Sequence, residues 1–164
     1  MPCSDAVTQQ AAPNAVTEPQ HMPVPYLAFY RASPFERIEM IKRGIPAAEA
    51  KRIFADLAIG QGAALKALNI APATINKKAK LDQRLSLGES ERVIGVAKLI
   101  GQLLALIQES SDVAGFDAIA WMSRWLRDPL PALGGIRPID LMDTMEGQVL
   151  VSTTLAQLQS GTYA

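Results

Sequence analysis

Few side chains in this sequence offer covalent or metal chemistry. His21 is the single histidine and Cys3 the single cysteine. Neither has a neighbour at metal-ligand spacing, nor a base placed to activate a nucleophile. No Gly-rich phosphate loop and no Ser/His/Asp set is visible, and the acidic residues of the C-terminal half stand singly. The sequence therefore predicts no enzyme, no cofactor and no metal site. What remains is recognition chemistry, in two places. In ALKALNIAPATINKKAK, Thr74, Asn76, Lys77, Lys78 and Lys80 crowd one short segment. Lysines neutralise phosphates, and Asn and Thr can read base edges. In RDPLPALGGIRPIDLMDT, residues 127–144, three prolines and a Gly-Gly pair form a stiff bend beside Trp121 and Trp125. Prolines reduce the freedom of the free chain, so little ordering entropy is left to lose on binding. Tryptophan and tyrosine are the residue types that most often anchor protein interfaces.

Elements able to position these groups are helical throughout. Ser33 caps a helix with Pro34 at its first position, and Gly44 ends it. Pro46 opens a second helix, AAEAKRIFADL, with Ile53 and Leu57 on one face. A helix over 61–68, a turn at Asn69-Ile70-Ala71 and a helix from Pro72 to about Lys80 make a helix-turn-helix. Leu65 and Leu68 anchor its first helix, Ile70 and Ile75 lock the second, and Asn69 stands where left-handed geometry is needed. Leu65 occupies a place where a small residue usually lets the helices close up, and Ala71 stands where a capping Ser is expected.

Ser86 and Glu89 form a capping box that opens the longest helix, with an apolar seam at Val93, Ala97, Ile100, Leu104 and Ile107. After Ser110-Ser111-Asp112, a helix is expected over 113–127, with Phe116, Ile119, Met122 and Leu126 inward and Asp128-Pro129 as its stop. Asp140 is expected to cap a short helix, IDLMD, opened by Pro138. Thr144 is expected to cap a last one, lined by Val151, Leu155 and Leu158 and stopped by Gly161. No strand signal appears, so the fold class is all-α.

Charge is divided along the chain. Residues 1–30 carry −2, residues 31–84 hold eleven Lys/Arg against five Asp/Glu (+6), and residues 85–164 hold five against nine (−4). A basic middle beside an acidic end suggests two different partners. Residues 1–30, rich in Pro, Gln, Ala and Thr, read as a flexible tail. No apolar run is long enough to span a membrane, MPCSDAVTQQ lacks signal-peptide order, and the lone Cys3 fits a reducing compartment. No membrane contact and a cytoplasmic location are expected.

The C-terminal half also carries a family resemblance. Trp125, Leu126, Pro129, Leu133, Gly134, Gly135, Pro138, Asp140, Leu141, Met142, Thr144, Gly147, Gly161, Tyr163 and Ala164 stand at fixed spacings. This pattern resembles the toxin-binding region of the Xre/MbcA/ParS-type antitoxins, partners of RES-domain toxins. The helix-turn-helix sits where that family carries its own, so the likeness covers roughly residues 34–164. It implies a tail over 1–30, an Xre-like helix-turn-helix domain over 31–85 and a small helical toxin-binding domain over 86–164.

Function follows as expectation: a type II antitoxin that covers the active site of an NAD-consuming or ADP-ribosyltransferase-like RES toxin. Its helix-turn-helix would repress its own operon. Toxin contacts are expected at Trp125, Arg127, Pro129, Leu133, Gly134, Gly135, Arg137, Pro138, Tyr163 and Ala164. Tyr163 and the Ala164 carboxylate suit entry into the toxin's cleft, the latter by pairing with an Arg that otherwise meets NAD phosphates. Operator DNA would meet Thr74, Asn76, Lys77, Lys78 and Lys80, with two copies pairing as a homodimer. The competing expectation is a stand-alone regulator whose C-terminal region only dimerises.

Overall fold

A computed structural model describes residues 24–110 and 115–159. Eight α-helices follow in order: α1 (Tyr26–Arg31), α2 (Pro34–Arg43), α3 (Ala47–Asp56), α4 (Gln61–Ala67), α5 (Pro72–Lys80), α6 (Leu87–Glu109), α7 (Ala118–Trp125) and α8 (Met145–Gln159). Among the described residues there are no strands, only isolated bridges pairing Pro46 with Arg84 and Leu130 with Ile136. The all-α expectation holds.

Two capping boxes set the helix starts that matter most. The Ser33 hydroxyl accepts from the Glu36 amide at 3.2 Å, and the Glu36 carboxylate accepts from the Ser33 amide at 2.7 Å. Ser86 and Glu89 repeat this at 3.3 and 2.8 Å. Each box satisfies two of the amides that a helix start leaves without partners. At its other end α2 stops at Gly44, whose φ of 78° belongs to the left-handed half of backbone space.

The 23-residue α6 is the axis of the molecule, roughly 35 Å long at 1.5 Å per residue. Val93, Ala97 and Ile100 of the expected seam are buried, with Leu104 and Ile107 partly so. Burial runs well beyond one stripe, since Ile94, Val96, Leu99 and Leu103 are buried too. The reason is that α1, α2, α7 and α8 all pack around it. Two glycines permit the closest approaches. A Cβ on Gly101 would overlap the Tyr26 carbonyl of α1, and one on Gly95 would overlap the Gln148 amide of α8. A polar clamp adds to the α6–α8 contact: Gln102 donates to the Ser152 carbonyl at 3.0 Å and accepts from its hydroxyl at 2.6 Å.

Several expectations are corrected. The tail assigned to 1–30 overlaps α1: Val24, Tyr26 and Phe29 are buried, and the Tyr26 hydroxyl donates to Asp56 at 2.5 Å. Residues 1–23 lie outside the described residues. The helix expected over 113–127 begins later, because Gly115 has φ 86° and Asp117 supplies the cap, accepting from the Ala120 amide at 2.9 Å. Phe116 therefore precedes α7 and is 41% exposed instead of facing inward. The expected helix after Pro138 is a 3-10 turn, Pro138–Leu141, and Asp140 pairs with Arg137 instead of capping it. Thr144 does cap α8, accepting from the Gly147 amide at 3.1 Å. Val151 and Leu155 are buried as expected, whereas Leu158 is 42% exposed. The stop assigned to Gly161 lies outside the described residues.

Candidate nucleic-acid and protein interfaces

The first surface is the α4–α5 pair. Asn69 takes φ 53°, the left-handed turn for which it was singled out, and the Ile70 amide then reaches back to the Leu65 carbonyl at 2.8 Å. Leu65, Leu68, Ile70 and Ile75 are all buried, so the turn is fixed from inside. Leu65 points its bulk into the core. Ala71 caps α5 without any side-chain bond, and Pro72 at the next position removes one amide that would have needed a partner.

On α5 the five candidate residues are not equivalent. Lys77 and Lys80 are exposed, while Thr74, Asn76 and Lys78 are half-buried. The Lys78 ammonium lies 2.7 Å from the Glu89 carboxylate at the start of α6, so its charge is already balanced. Burial alone would raise the Glu89 carboxyl. The hydrogen bonds from Lys78 and from the Ser86 amide and hydroxyl, with the Lys78 charge, together hold it below the usual carboxylate range. Asn76 accepts a long bond from Gln61 at 3.5 Å. The lysines of α5 outside any ion pair among the described residues are therefore Lys77 and Lys80. The signal for this was in the sequence: Glu89 had been assigned only to the capping box, yet a carboxylate has capacity for both partners.

The second surface is the bend between α7 and α8. Leu130 and Ile136 close it as a bridge, with the Leu130 amide 3.2 Å from the Ile136 carbonyl. Gly134 and Gly135 turn the corner with φ of 65° and 80°, and the Gly135 amide returns to the Leu130 carbonyl at 2.9 Å. The Ile139 amide bonds the Leu126 carbonyl at 3.1 Å, docking the bend on the end of α7. Gly147 completes the mounting, since a Cβ there would overlap the Leu141 carbonyl.

The candidate contact residues divide by burial. Arg127, Pro129, Gly134, Gly135 and Arg137 are exposed. Trp125, Leu133 and Pro138 are buried and belong to the frame. Trp125 stacks on Trp121 with ring centroids 5.8 Å apart, and its indole N–H has no hydrogen-bond partner. Arg137 holds Asp140 through two bonds of 2.7 and 2.8 Å. Tyr163 and Ala164 lie outside the described residues. Sequence reasoning missed the exposed apolar residues Ile136, Met145, Val149 and Leu150 on the bend and α8. The signal was available, because α8 has apolar residues on more faces than a single buried stripe requires. No described helix is long and apolar enough to cross a membrane.

A turn-closed helix pair with exposed lysines, joined through a long helix to a stiff exposed bend, defines a two-domain recognition protein. Comparison with known proteins gives the family. Residues 36–98 match the family described as antitoxin Xre-like helix-turn-helix domain. Residues 114–161 match the antitoxin Xre/MbcA/ParS C-terminal toxin-binding domain. The chain is 56% identical over 142 residues, 87% of its own length and 89% of the relative's, to the Prs ADP-ribosylating antitoxin of Sphingobium sp. (strain YBL2). The chain belongs to the Xre/MbcA/ParS antitoxin family, with a helix-turn-helix followed by a toxin-binding domain; these are not enzyme domains.

Proposed function

We propose that this antitoxin neutralises a cognate RES-domain toxin by covering its active site, and represses its own operon as a helix-turn-helix homodimer in the cytoplasm. One observation carries the reading: within the matched toxin-binding region, the bend presents Arg127, Gly134, Gly135, Ile136 and Arg137 outward from a frame of buried Trp125, Leu133 and Pro138. A surface already held in shape loses little ordering entropy when a partner arrives. The two glycines leave the backbone bare, with open space where a Cβ would stand, so a partner can approach closely. Exposed Met145, Val149 and Leu150 supply apolar area beside it. The relative's name links that protein to ADP-ribosylation, chemistry that consumes NAD and agrees with a RES-type partner. Tyr163 and Ala164 then act as the plug that enters the NAD cleft.

The deciding experiment combines the chain with the RES-type product of a neighbouring gene and follows NAD consumption. Saturating amounts of the intact chain are expected to stop turnover. Removal of residues 161–164 is expected to restore it while the helical circular dichroism stays unchanged. Full toxin activity in the presence of saturating intact chain would refute the reading.

A further inference from the structure

An amphipathic helix normally buries its apolar stripe, yet α2 contains no fully buried residue. Phe35 is 81% exposed and Ile38 43% exposed. Beside them lies a groove of about 250 Å³ between α2, α6 and the start of α8, lined among others by Ile38, Ile41, Ile94 and Met145. Its charged lining residues are Arg37, Glu91 and Lys98. Arg37 is spent on α1, donating to the carbonyls of Phe29, Tyr30 and Ala32. Lys98 is half-buried; burial first, and then the Arg37 charge, lower its pKa. The ion pairs among the described residues are Lys78–Glu89 and Arg137–Asp140, so Lys98 takes part in neither.

On the outer side of the same helix stands Glu39, exposed and likewise outside both ion pairs. Thus α2 carries both halves of a contact: an apolar groove with an unpaired cation, and a ridge of Phe35 and Glu39. A two-fold interface requires this kind of self-complementarity, because residue i of one copy meets j of the other and j meets i. We infer that this α2–α6 face is where two copies of the chain pair, Phe35 of each copy entering the other's groove and Glu39 meeting Lys98. The inference rests on the homodimer reading above and gives it a surface. The bend at 127–144 contributes none of the lining residues named here, and the two faces meet only at Met145, which borders both the groove and the apolar area beside the bend.

Two-fold symmetry supplies a sharp test on the full chain by sedimentation over a range of concentrations. The unaltered chain is expected to dimerise. Glu39→Lys and Lys98→Glu place like charges at both symmetric contacts, so each is expected to weaken self-association at least tenfold. An equimolar mixture of the two variants has opposite charges at both contacts and is expected to dimerise again. Circular dichroism checks that each variant is folded, and Glu39→Lys, at an exposed position, stands as a test even if Lys98→Glu does not fold. A monomeric unaltered chain would overturn the inference together with the homodimer reading. Dimeric variants, or a folded mixture that stays monomeric, would overturn the face alone. Loss of toxin binding by Glu39→Lys with dimerisation intact would overturn it by assigning the face to the toxin.

Discussion

Lys77, Lys78 and Lys80 look alike in the sequence but have different work in the fold. Lys78 closes an ion pair with Glu89 at 2.7 Å, tying α5 to α6, whereas Lys77 and Lys80 face water. A phosphate contact contributes about 0.9 to the logarithmic salt slope of binding. Lys77→Ala is therefore expected to flatten the slope for operator DNA by about one per protomer, and Lys78→Ala to leave it nearly unchanged. Titrations at several salt concentrations check this; equal slopes for the two variants would contradict the division. Glu89 gives the same junction a pH signature. Its carboxyl titrates below the ordinary 4.5 in the folded chain, so the native state favours the ionised form. That stabilisation is present above the unfolded value and is lost as pH falls through the folded one. Urea midpoints measured between neutral pH and pH 3 are expected to fall less steeply for Glu89→Gln than for the unaltered chain.

Helix starts were readable where a local rule decides them. The Ser86 capping box, the Ser33 cap with Pro34 at the start of α2, Asn69 in the turn and Thr144 on α8 lie where neighbouring residues alone predict them, while the reciprocal Glu36 bond at Ser33 was not read. The six-residue α1 was not readable, because its reason lies elsewhere. Tyr26 and Phe29 offer a single apolar step, and what makes the helix worthwhile is the bare backbone at Gly101, far along the chain. Burial raises the pKa of the Tyr26 hydroxyl, as do its bond to Asp56 and the charges of Asp56 and Glu49. The burial of Phe116 was likewise misread, since a helix period was extended through Gly115. Gly101→Ala tests the coupling of α1 to α6. Helix propensity alone would favour alanine by about 1 kcal/mol. The new methyl, however, meets a backbone carbonyl, which cannot swing aside as a side chain can, and overpacking costs about 1–3 kcal/mol. Net destabilisation is expected in urea unfolding, and a stabilised variant would mean that α1 does not pack as described.

At the scale of the whole molecule, α6 belongs to both halves. The helix-turn-helix family match runs over 36–98 and ends inside α6, while the toxin-binding match starts at 114. A boundary between 85 and 86 follows composition and the capping box, but composition does not say which neighbours need the helix that begins there. They need it on both sides: α1 and α2 pack on α6 from the N-terminal half, α7 and α8 from the other. The Ile45 amide donates to the Ser90 hydroxyl at 3.0 Å, Lys78 to Glu89, and α2 buries nothing fully even with α6 present. A fragment of residues 24–85 would expose Tyr26, Phe29 and the underside of α2. Burying one large apolar side chain is worth about 1.5–3 kcal/mol, and small domains hold only about 5–15 kcal/mol in total. The fragment is therefore expected to lack a cooperative unfolding transition, and one extended to residue 110 to regain it. Calorimetry on the two fragments decides the matter. A sharp transition in residues 24–85 would make the helix-turn-helix half an independent unit, and α6 a mere connector instead of the shared core of both surfaces.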